Sequence, residues 1–210
     1  MLIELNHSAL QTYFGAVCSV PIFISHQHVL LNDEALNFNE KNRLSEFTSE
    51  KRKEEYILGR YALKNVLACI GYETDTSLIT WPSKYCSLSH SEGHAIAISS
   101  RQASGIGIDV QLNKFPSFAV AERILSEQTR DYWQQLPEGD KAKTLQRLWT
   151  ANEAIYKACP APQPAYFRHY RLHAPNLMES NASIDNTPYQ FIVYSAELAN
   201  GFISVAIRQS

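Results

Sequence analysis

Each half of the sequence contains a helix-like run and several strand-like runs, and each half ends in an apolar strand. In the first half, residues 49–70 have a helical pattern, with Ser49 as N-cap and Gly71 as C-cap. Further helical patterns cover about 117–135 and 140–158. Strand-like runs lie at 20–25, 77–81, 85–90, 94–100, 104–110, 167–173, 189–198 and 201–208. This mixture predicts an α+β fold.

The repeated order suggests two comparable units, residues 1–102 and residues 104–210. The two segments have negligible sequence identity with one another. A structural duplication is therefore a hypothesis that rests on the order of the elements alone.

The composition narrows the class of protein. The chain has 210 residues, is 45% hydrophobic and carries a net charge of −2, which excludes the strongly basic surface of a general nucleic-acid binder. No apolar run is as long as a membrane span, and the N-terminus lacks the basic start of a signal peptide. The four cysteines are scattered without metal-site spacing, so we expect buried free thiols in a reducing, cytoplasmic setting.

The first helical run carries a stripe of positive charge. At 100° per residue, Lys53, Arg60 and Lys64 project within about 40° of one another, with Arg52 nearby. Such a stripe can bind phosphate groups. A solvated basic face is the alternative.

The segment "SLSHS", residues 87–91, places Ser89 and His90 where a predicted strand ends. Ligand contacts are frequent at such positions, and an imidazole can donate a hydrogen bond to a phosphate oxygen. A histidine satisfied by backbone groups is the alternative. A serine hydrolase is disfavoured, because the sequence has no Gly-x-Ser-x-Gly and no acid placed to orient His90.

The segment "GIGIDVQ", residues 105–111, puts an acid near the end of an apolar strand. Alternation directs Asp109 and Gln111 to one face, and Ile106 and Ile108 to the other. Burying a carboxylate is costly unless it is paired or bound to a metal ion. An acid in a turn is the alternative.

The last helical run contains Trp149, Glu153 and Lys157 at steps of four, which places all three on one stripe. A Glu–Lys pair at this spacing is commonly only a surface ion pair. Combined with Asp109, however, Glu153 completes the one or two carboxylates with which proteins hold Mg²⁺ on a pyrophosphate.

The remaining candidate residues fit the same interpretation, a site for Mg²⁺ and a pyrophosphate. The side-chain carbonyl of Gln111 is a candidate further ligand to the metal. The pyrophosphate also needs positive or hydrogen-bonding groups besides the metal, and Lys157, His90 and Arg60 are the candidates.

The order and spacing of these motifs resemble the Sfp-type (group II) 4'-phosphopantetheinyl transferases. The resemblance rests on Gly59-Arg60, "SLSHS", "GIGID" and the Trp149, Glu153, Lys157 helix, and it spans about residues 52–158. The pair Trp81-Pro82, just before the Ser-His segment, resembles the corresponding sequence in the branch of this family that serves siderophore synthetases. The resemblance implies two pseudo-symmetric α+β halves with the active site between them.

The resemblance also implies an activity, namely transfer of phosphopantetheine from coenzyme A to a serine of an acyl, peptidyl or aryl carrier protein. Mg²⁺ is the implied cofactor, 3',5'-ADP the second product and a monomer the expected state. The residues that match are Asp109 and Glu153 for the metal, Lys157 for the phosphate bridge, and Ser89, His90 and Arg60 for coenzyme A, with Arg52 beside them.

Three positions depart from the family pattern. Gln111 replaces a frequent acid, Asn152 replaces a lysine, and Thr129 replaces a glutamate that is the family's proposed base. The acceptor of the serine proton is therefore open between Glu153 and a water molecule on the metal. We expect an active transferase. A degenerate member that binds coenzyme A or a carrier without turnover, and an unrelated protein-binding adaptor, are the alternatives.

Overall fold

The computed structural model describes residues 2–29, 32–72, 75–162 and 166–209. Within these ranges the chain forms nine strands in two sheets, together with six α-helices. The smaller sheet has the order β2-β4-β3, and its strands are β2 (Phe23–Gln27), β3 (Cys86–Ser91) and β4 (His94–Ser99). All its pairings are antiparallel. The expected α+β class is confirmed.

The larger sheet has the order β5-β9-β8-β7-β6 and is antiparallel along that path. Its strands are β5 (Ile106–Leu112), β6 (Tyr170–Leu172), β7 (Glu179–Ile184), β8 (Gln190–Leu198) and β9 (Gly201–Arg208). The short strand β1 (Leu2–Ile3) lies parallel to β8. The division into residues 1–102 and 104–210 stays a prediction, and β1 shows that the first segment also contributes to the larger sheet.

The helices are α1 (His7–Val17), α2 (Phe38–Ser45), α3 (Glu50–Cys69), α4 (Phe118–Ile124), α5 (Glu127–Gln134) and α6 (Glu138–Ala158). Within the described chain none of them is both long and apolar enough to span a membrane. Gly71, at φ +63°, ends α3 as predicted, and the amides of Gly71 and Tyr72 bond back to the carbonyls of Ala68 and Leu67. Ser49 occupies the N-cap position, but its side chain makes no cap hydrogen bond.

Several elements differ from the sequence-based expectation. The strand predicted at 77–81 is wrong, because the chain forms a 3₁₀ turn at Thr76–Leu78 whose start is capped by the Asp75 carboxylate. The helix predicted at 117–135 is interrupted, because Ser126 leaves the helical conformation and caps α5 by accepting the Thr129 amide. The structure also contains β1, β7, α1 and α2, which were not predicted.

The core is built in layers. Helix α3 packs on the outer face of the smaller sheet through Leu63, Val66, Ala95 and their neighbours. The inner face of that sheet shares a core with α1 and the larger sheet, and the shared residues include Ile24, Ile96, Ile98, Ile106, Ile108 and Val110. Helix α6 covers the opposite face of the larger sheet. The two sheets are therefore joined by one continuous apolar layer.

Candidate active site

A row of serine hydroxyls joins the two sheets where β3 runs beside β5. The hydroxyls of Ser87, Ser89 and Ser91 accept hydrogen bonds from the amides of Ile108, Val110 and Leu112, at 3.1, 3.2 and 2.9 Å. Alternation along β3 brings every second side chain to this seam. The serines thus satisfy buried amides of β5 that the neighbouring strand does not reach with its backbone, and they fix the position of β5 against β3.

Asp109 lies in this seam and is only 4% exposed. Its Oδ1 atom accepts hydrogen bonds from the Ser89 hydroxyl and the Lys157 ammonium group, both at 2.8 Å. Its Oδ2 atom is buried and has no hydrogen-bond partner among the described residues. A buried carboxylate oxygen without a partner is costly, so the position favours a cation as ligand.

Helix α6 brings Glu153 and Lys157 to Asp109. The approach depends on Gly107, because a β-carbon there would lie 2.0 Å from the carbonyl oxygen of Ala154. The Lys157 Nζ atom also donates to the carbonyl of Ile108 at 3.0 Å. The pKa of Glu153 is raised, first by burial and then by the negative charge of Asp109. Asp109 and Glu153 are thus two neighbouring carboxylates, and one Asp109 oxygen has no partner within the described chain. Mg²⁺ prefers such oxygen ligands.

A cavity of about 300 Å³ opens beside this group, between α3 and the smaller sheet on one side and α6 on the other. It is lined by Arg60, Trp81, Pro82, Ser87, Leu88, His90, Tyr156 and Lys157. Three of the residues singled out from the sequence, Arg60, His90 and Lys157, therefore meet at one cavity. Tyr156 is a lining residue that sequence reasoning missed, because nothing in the pattern separates it from the aromatic residues of the core.

Among the described residues, buried polar side-chain atoms without a partner include two on residues that line this cavity. Four buried side-chain nitrogen or oxygen atoms in the described part of the chain lack a hydrogen-bond partner, namely Arg60 Nε, His90 Nε2, Asp109 Oδ2 and Asn152 Oδ1. The two nitrogen atoms belong to cavity-lining residues. An unpaired guanidinium N–H at a cavity wall favours an anionic ligand, and the unpaired Asp109 oxygen favours a cation next to it.

His90 is held between α3 and the cavity. Its ring is hydrogen-bonded to the backbone of Glu55, and burial lowers its pKa from 6.5 to about 4. The ring is therefore neutral near pH 7. The guanidinium of Arg60 stacks 4.8 Å from the ring centre of Tyr56 and donates weakly to Thr76 at 3.3 and 3.4 Å. Both side chains are pre-positioned by α3 and its immediate neighbours.

Other predicted site residues lie outside the cavity lining. Ser89 is 4% exposed, and its hydroxyl is engaged by Asp109 and the Val110 amide. Its contact with coenzyme A stays a prediction, as does that of Arg52, which is exposed two turns from Arg60. Gln111 is half-buried on the same face of β5 as Asp109, and its role as a metal ligand also stays a prediction.

The cation stripe of α3 divides among different partners. Lys64 pairs with the fully buried carboxylate of Glu40 at 2.6 Å, and Lys53 pairs with Glu50 at 2.7 Å. Of the three predicted cations, only Arg60 lines the cavity. The basic face that the sequence suggested is therefore mostly structural.

The two remaining departures from the family pattern are buried. The Asn152 side chain donates to the carbonyl of Ile124 at 2.8 Å and ties α6 to the end of α4. The Thr129 hydroxyl lies 2.9 Å from the Ser126 hydroxyl at the start of α5. Both residues thus serve the packing of the second half.

Comparison with known proteins agrees with the motifs. Residues 105–200 match the model of the 4'-phosphopantetheinyl transferase superfamily. The chain is also 29% identical over 150 residues to enterobactin synthase component D of Salmonella typhimurium, a match that covers 65% of this chain. The match spans 63% of that relative's length, which is less than two thirds of it. By its motifs and by these matches, the chain is similar to the 4'-phosphopantetheinyl transferase superfamily.

Proposed function

We propose that this protein transfers the 4'-phosphopantetheine group of coenzyme A to a serine hydroxyl of a carrier protein. The observation that carries the proposal is the cavity between α3 and α6, where Arg60 and His90, each with an unpaired nitrogen atom, line the same space as Lys157. Arginine, histidine and lysine nitrogen atoms form strong hydrogen bonds to phosphate oxygens, so this cavity suits a pyrophosphate. The carboxylates of Asp109 and Glu153, which lie beside Lys157, supply oxygen ligands for the Mg²⁺ ion that accompanies a pyrophosphate.

The donor set fits Mg²⁺. Asp109 offers its unpartnered Oδ2 atom, and Glu153 offers a carboxylate whose raised pKa reflects burial and the repulsion from Asp109. We propose these two residues as ligands and the Gln111 side chain as a further one. When bound, Mg²⁺ offsets negative charge on the pyrophosphate and so stabilises the transition state.

The chain's own groups hold the substrate. Lys157 uses two of its three donor hydrogens on Asp109 and Ile108, which leaves the third for a phosphate oxygen. Arg60 supplies a fixed positive charge and a free N–H group. Ser89 is a positioning residue, because it touches Asp109 and does not line the cavity.

His90 contributes as a residue that lines the cavity. The bond from its ring to the backbone of Glu55 occupies one nitrogen, so Nε2, which lies against Gly59, is the unpaired atom of the neutral ring. A phosphate oxygen placed in the cavity favours the protonated ring, because the anion offsets the cost of burying its charge. His90 therefore adds positive charge beside the phosphate when the substrate binds.

In the proposed reaction, the carrier serine oxygen attacks the β-phosphorus of coenzyme A. The new bond is a serine–phosphate ester, the bond to 3',5'-ADP breaks, and 3',5'-ADP leaves as an anion that needs no proton. The serine proton must go to a base. Glu153 and a water molecule are the two candidate acceptors, since the raised pKa of Glu153 belongs to the metal-free site and a bound cation lowers it.

The partners and setting are proposed with the reaction. The relative's name refers to enterobactin synthase, so a peptidyl or aryl carrier domain of a siderophore synthetase is the first carrier to try. The four cysteines are all free thiols in the structure, which supports a reducing cytoplasm. Cys86 and Cys159 are buried as expected, whereas Cys69 is exposed and Cys18 is half-buried. We propose a monomer as the active form.

The experiment is an intact-mass measurement on an apo carrier domain incubated with coenzyme A, Mg²⁺ and this protein. The expected result is a gain of one phosphopantetheine group and the release of 3',5'-ADP. The matched control is the Asp109→Asn variant, which keeps the size of the side chain and an acceptor oxygen. An unmodified carrier together with tight coenzyme A binding would contradict the proposal and indicate the degenerate alternative.

A further inference from the structure

Three histidines lie together at one end of the smaller sheet, on residues that the proposed reaction does not use. His26 is in β2, His28 follows that strand directly, and His94 begins β4. One side-chain nitrogen of each lies within 4.8 Å of the others. Among the described residues, this is the single group of three or more histidine, cysteine or acidic side chains close enough to share a metal ion.

The strand register explains the cluster. Residues two apart on a strand point to the same face, so His26 and His28 lie on one side of β2. His26 is opposite Ile96 and Gln27 is opposite Ala95, so the next step along the strand brings His28 to the level of His94. The spacing His-x-His is visible in the sequence, but only the fold brings the third histidine to it.

This cluster is separate from the cavity. His94, Ile96 and Ile98 are two residues apart along β4, so their side chains lie on the same face of the strand. Ile96 and Ile98 face the core that the smaller sheet shares with α1 and the larger sheet. His90 lies against Gly59 of α3, on the opposite face. The three-histidine cluster and the carboxylate pair are therefore different places in the molecule, and variants can address them one at a time.

The three histidine rings pack against one another. His26 and His94 have nitrogen atoms 2.9 Å apart, and the His28 ring stacks 5.0 Å from that of His26 and 5.7 Å from that of His94. His26 is only 9% exposed. Burial, followed by the neighbouring histidines, lowers its pKa to about 4, so its ring is neutral near pH 7.

We propose that His26, His28 and His94 form a binding site for one divalent transition-metal ion of the Zn²⁺ class. Three imidazole ligands suit Zn²⁺, Ni²⁺ or Cu²⁺ and do not suit Mg²⁺ or Ca²⁺, which prefer oxygen ligands. A tetrahedral Zn²⁺ site needs Zn–N distances of about 2.0–2.1 Å. The three nitrogen atoms lie within 4.8 Å of one another. Rotation of the rings would bring them to these distances from a common ion.

The cluster leaves room for a fourth ligand. His28 is exposed, so one side of the site opens to solvent. His7, the first residue of α1, is near enough to contribute to the lowered pKa of His26. Water or His7 completes the tetrahedron. A bound ion joins β2 to β4, and because it binds only the folded chain it raises the thermal unfolding midpoint.

The test is calorimetric titration of the metal-free, full-length protein with Zn²⁺. We expect one equivalent to bind and the unfolding midpoint to rise. His28→Gln and His94→Gln should each lose the bound equivalent and the rise. His28→Gln is the main variant, since its exposed side chain is not needed for folding, as its unchanged midpoint without metal should show. Replacing Zn²⁺ by Co²⁺ should give the visible absorption of a tetrahedral site.

Two controls give the result a single meaning. His173→Gln removes an exposed histidine of the larger sheet that contacts Ser183 instead, and it should keep the equivalent of Zn²⁺. Asp109→Asn should keep it as well, because the carboxylate site is separate. Absence of binding in the unaltered protein, or binding that survives in both His28→Gln and His94→Gln, would overturn the proposal.

Discussion

Gly59 lies directly against the ring of His90. A β-carbon built at Gly59 would be 2.5 Å from His90 Nε2 and 2.9 Å from Leu88 Cδ2. The glycine in the middle of α3 therefore lets the helix approach β3 closely enough to hold the imidazole at the cavity. This gives the Gly59-Arg60 motif a physical reason, since one residue makes space for His90 and the next lines the same cavity.

The first prediction concerns this contact. Glycine normally costs a helix interior about 1 kcal/mol relative to alanine, so Gly59→Ala would be stabilising if space allowed. Here we expect it to displace His90 and to raise the KM for coenzyme A about tenfold or more, with a smaller change in kcat. Gly139→Ala in α6 is the matched control, because a β-carbon there meets nothing within 4 Å. Equal kinetics in the two variants would refute the reason given for Gly59.

The second prediction concerns the carboxylate pair. Asp109→Asn and Glu153→Gln should each lower the rate of transfer by about 100-fold or more, because each removes a charged ligand of the proposed Mg²⁺ site. Both variants keep side-chain size, so circular dichroism should show an unchanged fold. The measurement is initial rate against Mg²⁺ concentration. A normal rate in Asp109→Asn would exclude Asp109 as a ligand.

The third prediction separates two neighbouring serines. Ser87 and Ser89 each accept an amide of β5, but only Ser89 also donates to Asp109. Replacing either by alanine should lower the free energy of unfolding by about 1–3 kcal/mol, because a buried amide loses its acceptor. Only Ser89→Ala should also raise the Mg²⁺ concentration needed for half-maximal rate. The same Mg²⁺ dependence in both variants would contradict the positioning role of Ser89.

The fourth prediction concerns acid stability. The folded chain without substrate binds a proton at His90 only near pH 4, whereas the unfolded chain binds one near pH 6.5 because burial has lowered the folded-state pKa. Between these values the unfolded state holds more protons, so the free energy of unfolding falls as the pH falls. His90→Gln should remove this contribution, which is at most about 3 kcal/mol. Urea unfolding of both proteins from pH 7 to pH 4 measures it, and parallel curves would show that His90 does not contribute.

Sequence patterns predicted the elements whose periodicity is strong. Helix α6, strands β3, β4, β5, β8 and β9, and the end of α3 at Gly71 follow from alternation or capping alone. Strand β7 was missed because its residues are mostly small or polar and do not alternate clearly. The segment at 77–81 looked like a strand, but Asp75 caps a 3₁₀ turn there. Local patterns do not show such competition from side-chain caps.

Some features of the candidate site could be predicted from the sequence, and others could not. The sequence indicated Asp109, Glu153 and Lys157, because strand and helix periodicities place them on defined faces. It did not indicate that Ser89 supports Asp109, or that Lys64 is paired with Glu40, since both contacts join residues far apart in the chain. The same limit applies to the three-histidine cluster, whose third member comes from another strand. Long-range pairing is what the sequence alone leaves undetermined.

The last prediction concerns the base. Glu127 is exposed in the first turn of α5, and its charge acts on Arg171 of β6, away from the cavity lining. Thr129, at the position of the family's acid, is 2% exposed and its hydroxyl lies against that of Ser126. Glu127→Gln should therefore keep the rate of transfer within about twofold, at a cost of about 0.3–1 kcal/mol of stability from the helix dipole. Glu153→Gln, measured beside it over the same pH range, should lose most of the rate, because it removes a proposed ligand of Mg²⁺. A severe loss in Glu127→Gln, with coenzyme A and Mg²⁺ binding unchanged, would contradict this prediction and make Glu127 the base.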